Sequence, residues 1–157
     1  MRPLPDILLG AARIKGALIA TAESCTGGMV AAAITDPPGA SDIFDRGFVT
    51  YSNAAKIAML GVRAETLQEF GAVSPEVARE MAEGALANSN ASHAVSVTGI
   101  AGPGGSAHKP EGRVCFGLAI RGRPALAETC DFGALGRDGV RRASRDHALS
   151  LLIASLD

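Results

Sequence analysis

The chain has 157 residues, a formal net charge of −1, 47 % apolar residues and no Trp. This length suits one domain, and the balanced charge argues against a nucleic-acid-binding surface, which normally carries clustered Lys and Arg. No apolar stretch could span a membrane, no secretory leader precedes Pro3, and three scattered cysteines fit neither a disulfide framework nor a metal motif, so we expect a soluble cytoplasmic protein.

Predicted helices and strands alternate along the first third of the chain. Apolar residues between Leu4 and Ala11 recur on one face of a first helix, which should end near Gly16. The apolar run 16–20 indicates a short buried strand, and apolar residues recur at helical spacing over 29–34. This second helix should stop before the segment 36–39, because prolines there forbid its continuation.

A strand, a short helix and a longer helix are expected next. Residues 48–51 are typical of a strand, and Asn53 can cap a short helix over residues 54–60. Ser74 followed by Pro75 is typical of a helix start, with a side-chain cap and a proline at the first helical position.

The remaining chain is expected to add three strands and a last helix. Residues 94–97 form the third strand, and residues 113–120 and 126–132 form a hairpin. The last helix places on one side Val140, Ala143, His147 and Leu151. We therefore expect an α/β fold, a three-layer α/β/α sandwich whose mostly parallel, mixed sheet has about five strands. Residues 1–157 should form one domain, with ligands bound at the carboxyl ends of the strands.

The segment Thr21-Ala22-Glu23-Ser24-Cys25-Thr26-Gly27-Gly28 joins the first strand to the second helix. It offers two nucleophiles, Ser24 and Cys25, beside backbone amides that a helix start leaves unpaired and that can bind an anion. The two glycines at its end allow a ligand to approach the backbone closely. The alternative is a structural turn in which Ser24 or Thr26 only caps the helix.

Four glycines lie in the segment Thr98-Gly99-Ile100-Ala101-Gly102-Pro103-Gly104-Gly105, which follows the third strand. It is not a dinucleotide fingerprint, because position 101 is Ala, and not a P-loop, because Ser rather than Lys follows Gly105. Its backbone amides can still wrap a phosphate or an acyl group. A flexible turn without a ligand is the other interpretation.

Lys56 is the candidate general base. If Asn53 caps its helix, Lys56 lies in the first turn, where the helix dipole disfavours a cation, and burial would lower the pKa of its amine further. A neutral lysine can take the proton of a serine nucleophile. Ser52 and Cys25 are rival nucleophiles, but Ser24 has the surrounding glycines and amides. A solvated lysine without a catalytic role is the alternative.

Three arginines, Arg137, Arg141 and Arg142, lie near the start of the last helix, where cations are disfavoured unless an anion compensates them. They predict a phosphate-bearing ligand or, alternatively, a solvated face. The three histidines have no metal-ligand spacing, and His147 is expected to be a partly buried structural residue.

Further motifs are Arg-Gly-Phe-Val-Thr-Tyr-Ser-Asn at 46–53 followed by Lys56, Gly-Ala-Val-Ser at 71–74, Lys109-Pro110 and Arg137-x-x-Val140-Arg141. With the segments 21–28 and 99–105 they extend over nearly the whole chain. In this order they resemble the C-terminal domain of the competence/damage-inducible protein CinA, in its stand-alone nicotinamide-nucleotide amidase form. Glu111 departs from the apolar residue expected at that position.

The resemblance implies hydrolysis of the carboxamide of nicotinamide mononucleotide to nicotinate mononucleotide and ammonia, in pyridine-nucleotide recycling. It implies a Ser–Lys mechanism of Ser24 and Lys56 without a metal or cofactor, and amides at the start of the second helix would hold the oxyanion. The substrate-binding residues predicted with it are Cys25, Thr26, Gly27, Tyr51, Thr98, Gly99, Gly102 and Arg141.

We also expect a homo-oligomer that binds a small molecule, with no nucleic-acid or membrane partner. The alternative function is a non-catalytic nucleotide-binding sensor or interaction module. Such a module would use the glycines and Arg141, but it would have no need of Ser24 together with Lys56.

Overall fold

The computed structural model describes residues 1–106 and 108–157, which form a five-stranded sheet with helices on both faces. Its helices and strands are α1 (Leu4–Lys15), β1 (Ile19–Glu23), α2 (Met29–Ile34), β2 (Phe44–Val49), α3 (Asn53–Leu60), α4 (Ala64–Phe70), α5 (Pro75–Ala87), β3 (His93–Gly99), β4 (Arg113–Ile120), β5 (Leu126–Asp131) and α6 (Gly136–Ala154). Within the described residues, no helix is both long and apolar enough to cross a membrane.

The strand order is β2-β1-β3-β4-β5. Strand β1 lies parallel to both β2 and β3, whereas β4 is antiparallel to both of its neighbours. Four of these five strands therefore point in one direction and β4 in the other. The predicted mostly parallel, mixed sheet is confirmed, and the carboxyl ends of β1, β2 and β3 share one edge.

Two apolar cores lie on opposite faces of the sheet. In the central strand β1, Ile19 faces the layer of α1, α2 and α6, and Ala20 faces the layer of α3, α4 and α5. The first core includes Leu8, Val30, Ile34, Val95, Val97, Phe116, Leu149 and Leu152. The second core includes Leu60, Val62, Leu67, Val77, Met81 and Ala85. This arrangement confirms the three-layer prediction, and it buries every residue of β1, as expected for a central strand covered on both faces.

Three elements differ from the prediction in their bounds or their existence. Strand β1 spans Ile19–Glu23 rather than residues 16–20, so the first part of the segment 21–28 is strand and not turn. Strand β2 begins at Phe44 and ends at Val49, so the predicted strand 48–51 is placed too late and Tyr51 lies in the following loop. Helix α4 was not predicted, because its seven residues have too few apolar side chains for a helical pattern. The Glu80 carboxylate instead accepts hydrogen bonds at its start, from the Arg63 amide and the Thr66 hydroxyl.

The buried side of α6 is rotated from the predicted one. The predicted residues Ala143, His147 and Leu151 are only partly buried, whereas Ser144 and Ala148 are fully buried. The prediction considered mainly apolar residues and therefore did not place Ser144 on the buried side. In the structure, the Ser144 hydroxyl donates to the carbonyl oxygen of Val140. Because that hydrogen bond is internal to the helix, the polar residue can face the core.

Candidate active site

A cavity of about 360 Å³ opens where β1, β2 and β3 end. This volume is in the range of small-molecule sites, and the position is where ligands bind in open α/β sheets. Its wall is formed by Ser24, Cys25, Tyr51, Asn53, Lys56, Ala72, Val73, Arg137 and the glycine-rich loop 98–106.

Ser24 stands at the end of β1, and only 8 % of it is exposed. Its amide donates to the carbonyl oxygen of Val97 (2.9 Å), which continues the pairing of β1 with β3 by one residue. The backbone then turns into α2 through Gly27 and Gly28, whose φ angles of 58° and 108° favour glycine. The side chain of Ser24 is thereby fixed at the floor of the cavity.

The Glu23 side chain stabilises the turn between β1 and α2, a role that was not predicted from the sequence. Its buried carboxylate accepts from the Thr26 hydroxyl (2.6 Å) and from the amides of Gly28 (3.2 Å), Val30 (2.9 Å) and Ala31 (3.0 Å). The prediction that Ser24 or Thr26 caps α2 is therefore wrong. The cap position is Gly28, and the capping group is the carboxylate of Glu23.

The amides left for a ligand lie in the turn rather than in the helix. Because Glu23 takes the amides at the start of α2, these are no longer available to an oxyanion. In the described chain, the amides of Cys25 and Thr26 donate to no acceptor of another residue, unlike those of Ser24 and Gly27. Of these two, Cys25 lines the cavity, so its amide is the donor beside Ser24 that a ligand can reach, whereas Thr26 is fully buried.

Helix α3 brings Lys56 to the same point from the other side of the sheet. Ser52 rather than Asn53 caps this helix, because its hydroxyl accepts from the Ala55 amide (3.0 Å). The serine conformation before the helix is extended, as a cap requires, and Asn53 is already helical. Lys56 therefore lies one position deeper than predicted, at the end of the first turn.

The Lys56 amine is buried against three oxygen atoms. Only 1 % of the residue is exposed, and its Nζ lies 3.0 Å from Ser24 Oγ. The same nitrogen donates to the carbonyl oxygens of Thr50 (2.9 Å) and Tyr51 (3.4 Å). These three acceptors match the three hydrogens of an ammonium, and after the loss of one proton the lone pair can face the Ser24 hydroxyl while both carbonyls keep their hydrogen bonds.

Burial changes the pKa values of both side chains beside Ser24. It lowers the pKa of the Lys56 amine, because a charged ammonium loses its hydration there. It raises the pKa of the Cys25 thiol to about 11, so this thiol is protonated at neutral pH. Burial therefore disfavours a Cys25 thiolate and places beside Ser24 a Lys56 amine that loses its proton more readily than a free lysine.

The glycine-rich loop is tied to the rest of the site by hydrogen bonds. The Thr98 hydroxyl donates to the carbonyl oxygen of Ala72 (2.8 Å), at the edge of the cavity. Farther along, the Glu111 carboxylate accepts from the Gly104 amide (2.6 Å). A Cβ on Gly102 would lie 2.6 Å from that carboxylate, which explains why a glycine stands there. Glu111, which stands where an apolar residue was expected, thus fixes the glycine-rich loop through this hydrogen bond.

Arg137 is the cation in the cavity wall. Its Nη1 donates to the carbonyl oxygen of Gly102 (2.9 Å), and its Nη2 donates to the Tyr51 hydroxyl (2.9 Å). It therefore joins the loop after β2 to the loop after β3. Arg141 rather than Arg137 was predicted as the substrate ligand, but Arg137 is the one that lines the cavity.

The predicted site residues divide into two groups. Ser24, Lys56, Cys25, Tyr51, Thr98, Gly99 and Gly102 line the cavity. The other three, Thr26, Gly27 and Arg141, are not part of the cavity wall and lie in or beside the turn 24–28. There, the Arg141 guanidinium donates from Nε to the carbonyl oxygen of Cys25 (3.1 Å) and from Nη2 to that of Thr26 (3.4 Å). This geometry makes Arg141 a support of the turn.

The chain is similar to known proteins over most of its length. The nicotinamide-nucleotide amidohydrolase PncC of Escherichia coli K12 is 54 % identical over 144 residues, which cover 90 % of this chain and 86 % of that protein. The CinA-like protein of Chlorobium phaeobacteroides is 56 % identical over 133 residues. This chain spans only 32 % of the length of that protein and 34 % of a relative from Symbiobacterium thermophilum.

A solved structure gives the same result for the fold. The competence/damage inducible protein CihA from Agrobacterium tumefaciens superposes with a TM-score of 0.92 at 46 % identity, over 98 % of this chain and 97 % of that one. The model of the CinA C-terminal domain matches residues 2–156. The chain therefore belongs to the CinA C-terminal domain family.

Proposed function

We propose that this chain is an amidohydrolase that converts nicotinamide mononucleotide to nicotinate mononucleotide and ammonia, in pyridine-nucleotide recycling. The observation that carries the proposal is the 3.0 Å contact between the Ser24 hydroxyl and the buried Lys56 amine at the floor of the cavity. The relatives named nicotinamide-nucleotide amidohydrolase support the choice of substrate. A nucleotide sensor would gain nothing from a desolvated lysine beside a serine.

In the proposed first step, neutral Lys56 removes the proton from Ser24 Oγ as this oxygen attacks the carboxamide carbon. The tetrahedral intermediate collapses when the carbon–nitrogen bond breaks, and Lys56 returns the proton to the departing ammonia. Water then repeats the sequence on the acyl-enzyme. Lys56 removes a proton from the water, the hydroxide attacks the ester carbon, and Ser24 is released with its hydrogen. No further reactant is needed to balance either step.

The oxyanion would be held by the amide of Cys25, which lines the cavity directly after Ser24. This replaces the expected amides of α2, which are occupied by the Glu23 carboxylate. One well-placed donor of this kind contributes about 3 kcal/mol to lowering the barrier. This donor belongs to the residue that follows Ser24, so its position is tied to that of the proposed nucleophile.

The phosphate of the substrate would bind at the glycine-rich loop. Arg137 borders this loop and can offer its guanidinium to a phosphate, because its present partners are a carbonyl oxygen and a hydroxyl on the cavity wall. Arg141 remains a predicted substrate ligand. Its donors point to the backbone of the nucleophile turn, which makes Arg137 the better placed of the two.

An ammonia-release assay tests this function. Purified protein should release one ammonia per nicotinamide mononucleotide consumed, and Ser24→Ala should abolish this release with its fold intact, because only one small hydroxyl is removed. Cys25→Ala is the matched control, since this neighbour has a protonated thiol. It should keep most of the activity.

Two results would contradict the proposal in different ways. Activity that survives in Ser24→Ala but is lost in Cys25→Ala would make Cys25 the nucleophile. Tight binding of the nucleotide without any ammonia release by the unmodified protein would favour the sensor.

A further inference from the structure

Three side chains with metal-binding atoms meet outside the cavity, where β5 packs against α6. Glu128 and Cys130 are two residues apart on β5 and share one face of the strand, and His147 approaches them from α6. The Cys130 Sγ lies 3.5 Å from His147 Nε2 and 3.9 Å from Glu128 Oε1. The His147 ring nitrogen is also hydrogen-bonded to the Glu128 carboxylate.

The spacing of these atoms fits a tetrahedral ion. Bonds of about 2.3 Å to sulfur and about 2.0 Å to nitrogen, at a tetrahedral angle, place the two ligand atoms about 3.5 Å apart. This equals the separation of Cys130 Sγ and His147 Nε2. The His147–Glu128 pair must open to admit an ion, and Glu128 can do so because 47 % of its side chain is exposed.

The imidazole is already oriented toward the other two ligands. Phe116 lies against the His147 ring with centroids 4.5 Å apart, and Phe132 meets it edge-on at 6.2 Å. These contacts fix the ring without any ion, so binding would not have to order it. The buried Phe116 closes one side, and the exposed Glu128 leaves the solvent side open for a water ligand.

The types of ligand atom determine which class of metal ion the three residues can bind. One thiolate, one imidazole and one carboxylate suit Zn²⁺ and Co²⁺, whereas Mg²⁺ and Ca²⁺ prefer oxygen ligands alone. Burial raises the pKa of the Cys130 thiol, and the neighbouring Glu128 charge raises it further, so the thiol holds its proton when no ion is bound. Coordination would release this proton to solvent.

We propose that Glu128, Cys130 and His147 bind one divalent transition-metal ion of the Zn²⁺ class, with water as the fourth ligand. The site joins the edge strand β5 to α6. It takes no part in the proposed hydrolysis, because none of its three residues lines the cavity at Ser24.

Titration of the chelator-treated protein with Co²⁺ tests the site. We expect saturation at one equivalent, with a thiolate-to-cobalt charge-transfer band in the near ultraviolet, and displacement of the Co²⁺ by Zn²⁺. Cys130→Ser should remove the band. Glu128→Gln and His147→Gln should weaken Co²⁺ binding by tenfold or more. The matched control is Cys115→Ser, whose thiol contacts Thr129 on the opposite face of the same strand pair and should not matter.

Several outcomes would overturn the proposal. They are a wild-type protein that takes up no stoichiometric Co²⁺, a band that persists in Cys130→Ser, and a band that is lost in Cys115→Ser. Glu128→Gln keeps the test decisive if the other variants misfold, because its side chain is half exposed. Unchanged Co²⁺ affinity in a folded Glu128→Gln protein would likewise exclude the three-ligand site.

Discussion

At the scale of single residues, the protonation of Lys56 decides what Ser24 can do. An ammonium at this position has no lone pair to accept the serine proton, whereas a neutral amine has one. Because burial lowers the pKa of Lys56, the neutral form is reached at a lower pH than the roughly 10.4 of a free lysine. Activity should therefore rise with pH through the lowered pKa and reach a plateau above it.

The variant Lys56→Arg distinguishes the proposed role of Lys56 as a general base from the effect of its positive charge. Arginine keeps a cation near Ser24 but cannot give up its proton, so single-turnover hydrolysis should fall by about 100-fold or more across pH 6 to 10. Lys56→Met removes the charge at similar length and should be equally inactive. If Lys56→Arg retains much of the rate, then Lys56 acts through its charge and is not the general base.

Arg137 and Arg141 offer a matched pair for phosphate recognition. Arg137→Ala should raise KM for nicotinamide mononucleotide about tenfold and leave KM for the unphosphorylated riboside nearly unchanged, since only the former has the charge to pair. Arg141→Ala should lower kcat for both ligands alike, because it supports the nucleophile turn. The reverse pattern in steady-state kinetics would restore Arg141 as the phosphate ligand.

At the scale of secondary structure, the start of α2 depends on one carboxylate. Glu23→Gln should leave helix amides partly unpaired and so lower the free energy of unfolding by about 2 kcal/mol. It should also lower kcat with little change in KM, because Ser24 and the turn that follows it lose the hydrogen bonds that support them.

Glu80→Gln is the control for that variant. Its carboxylate caps α4, where it accepts from Arg63 and Thr66, and it does not line the cavity. It should lower the denaturant midpoint in a similar way and leave kcat unchanged. Equal effects of both variants on kcat would show that Glu23 acts only through overall stability.

The elements that could be predicted from the sequence are those with local signals. Glycine-rich turns after apolar runs located the loops that follow β1 and β3, although the predicted loops began within the strands. Ser74 before Pro75 located the start of α5, where its hydroxyl accepts from Val77. The role of Glu23 could not be found in this way, because a strand residue that caps the next helix has no fixed spacing. A glutamate just before a serine and two glycines is the only signal.

At the scale of the whole molecule, the proposed reacting pair, Ser24 and Lys56, lies where the two helix layers meet. The nucleophile turn packs on the core of α1, α2 and α6, which includes Cys25, while α3 packs on the other core through Leu60. The sequence linked Ser24 with Lys56 through residue chemistry and the family resemblance but not through a distance, since the distance between them depends on how closely α3 approaches α5. That approach is set by Gly84, where a Cβ would lie 2.0 Å from the carbonyl oxygen of Leu60.

Gly84→Ala tests this dependence. The new methyl group should displace α3 and with it Lys56, which lowers the free energy of unfolding by about 2 kcal/mol and reduces kcat. Gly10→Ala in α1 is the control, because nothing lies within 4 Å of its Cβ position. It should stabilise the protein by up to about 1 kcal/mol through helix propensity and leave kcat unchanged. Thermal unfolding and ammonia release on both variants give the comparison.

The strand order has a consequence for how substrate choice could change. Strands β1 and β2 are direct neighbours, so the consecutive elements β1, α2, β2 and α3 carry both Ser24 and Lys56, while Gly84 of α5 sets the position of α3. The groups placed to recognise the rest of a ligand, the loop 98–105 and Arg137, come from the later part of the chain. The proposed reacting pair and this part of the cavity wall thus come from separate stretches of sequence, although Cys25, Tyr51 and Asn53 of the first stretch also line the cavity. Exchange of the later stretch between relatives could alter the preferred amide while the same serine and lysine continue to cleave it.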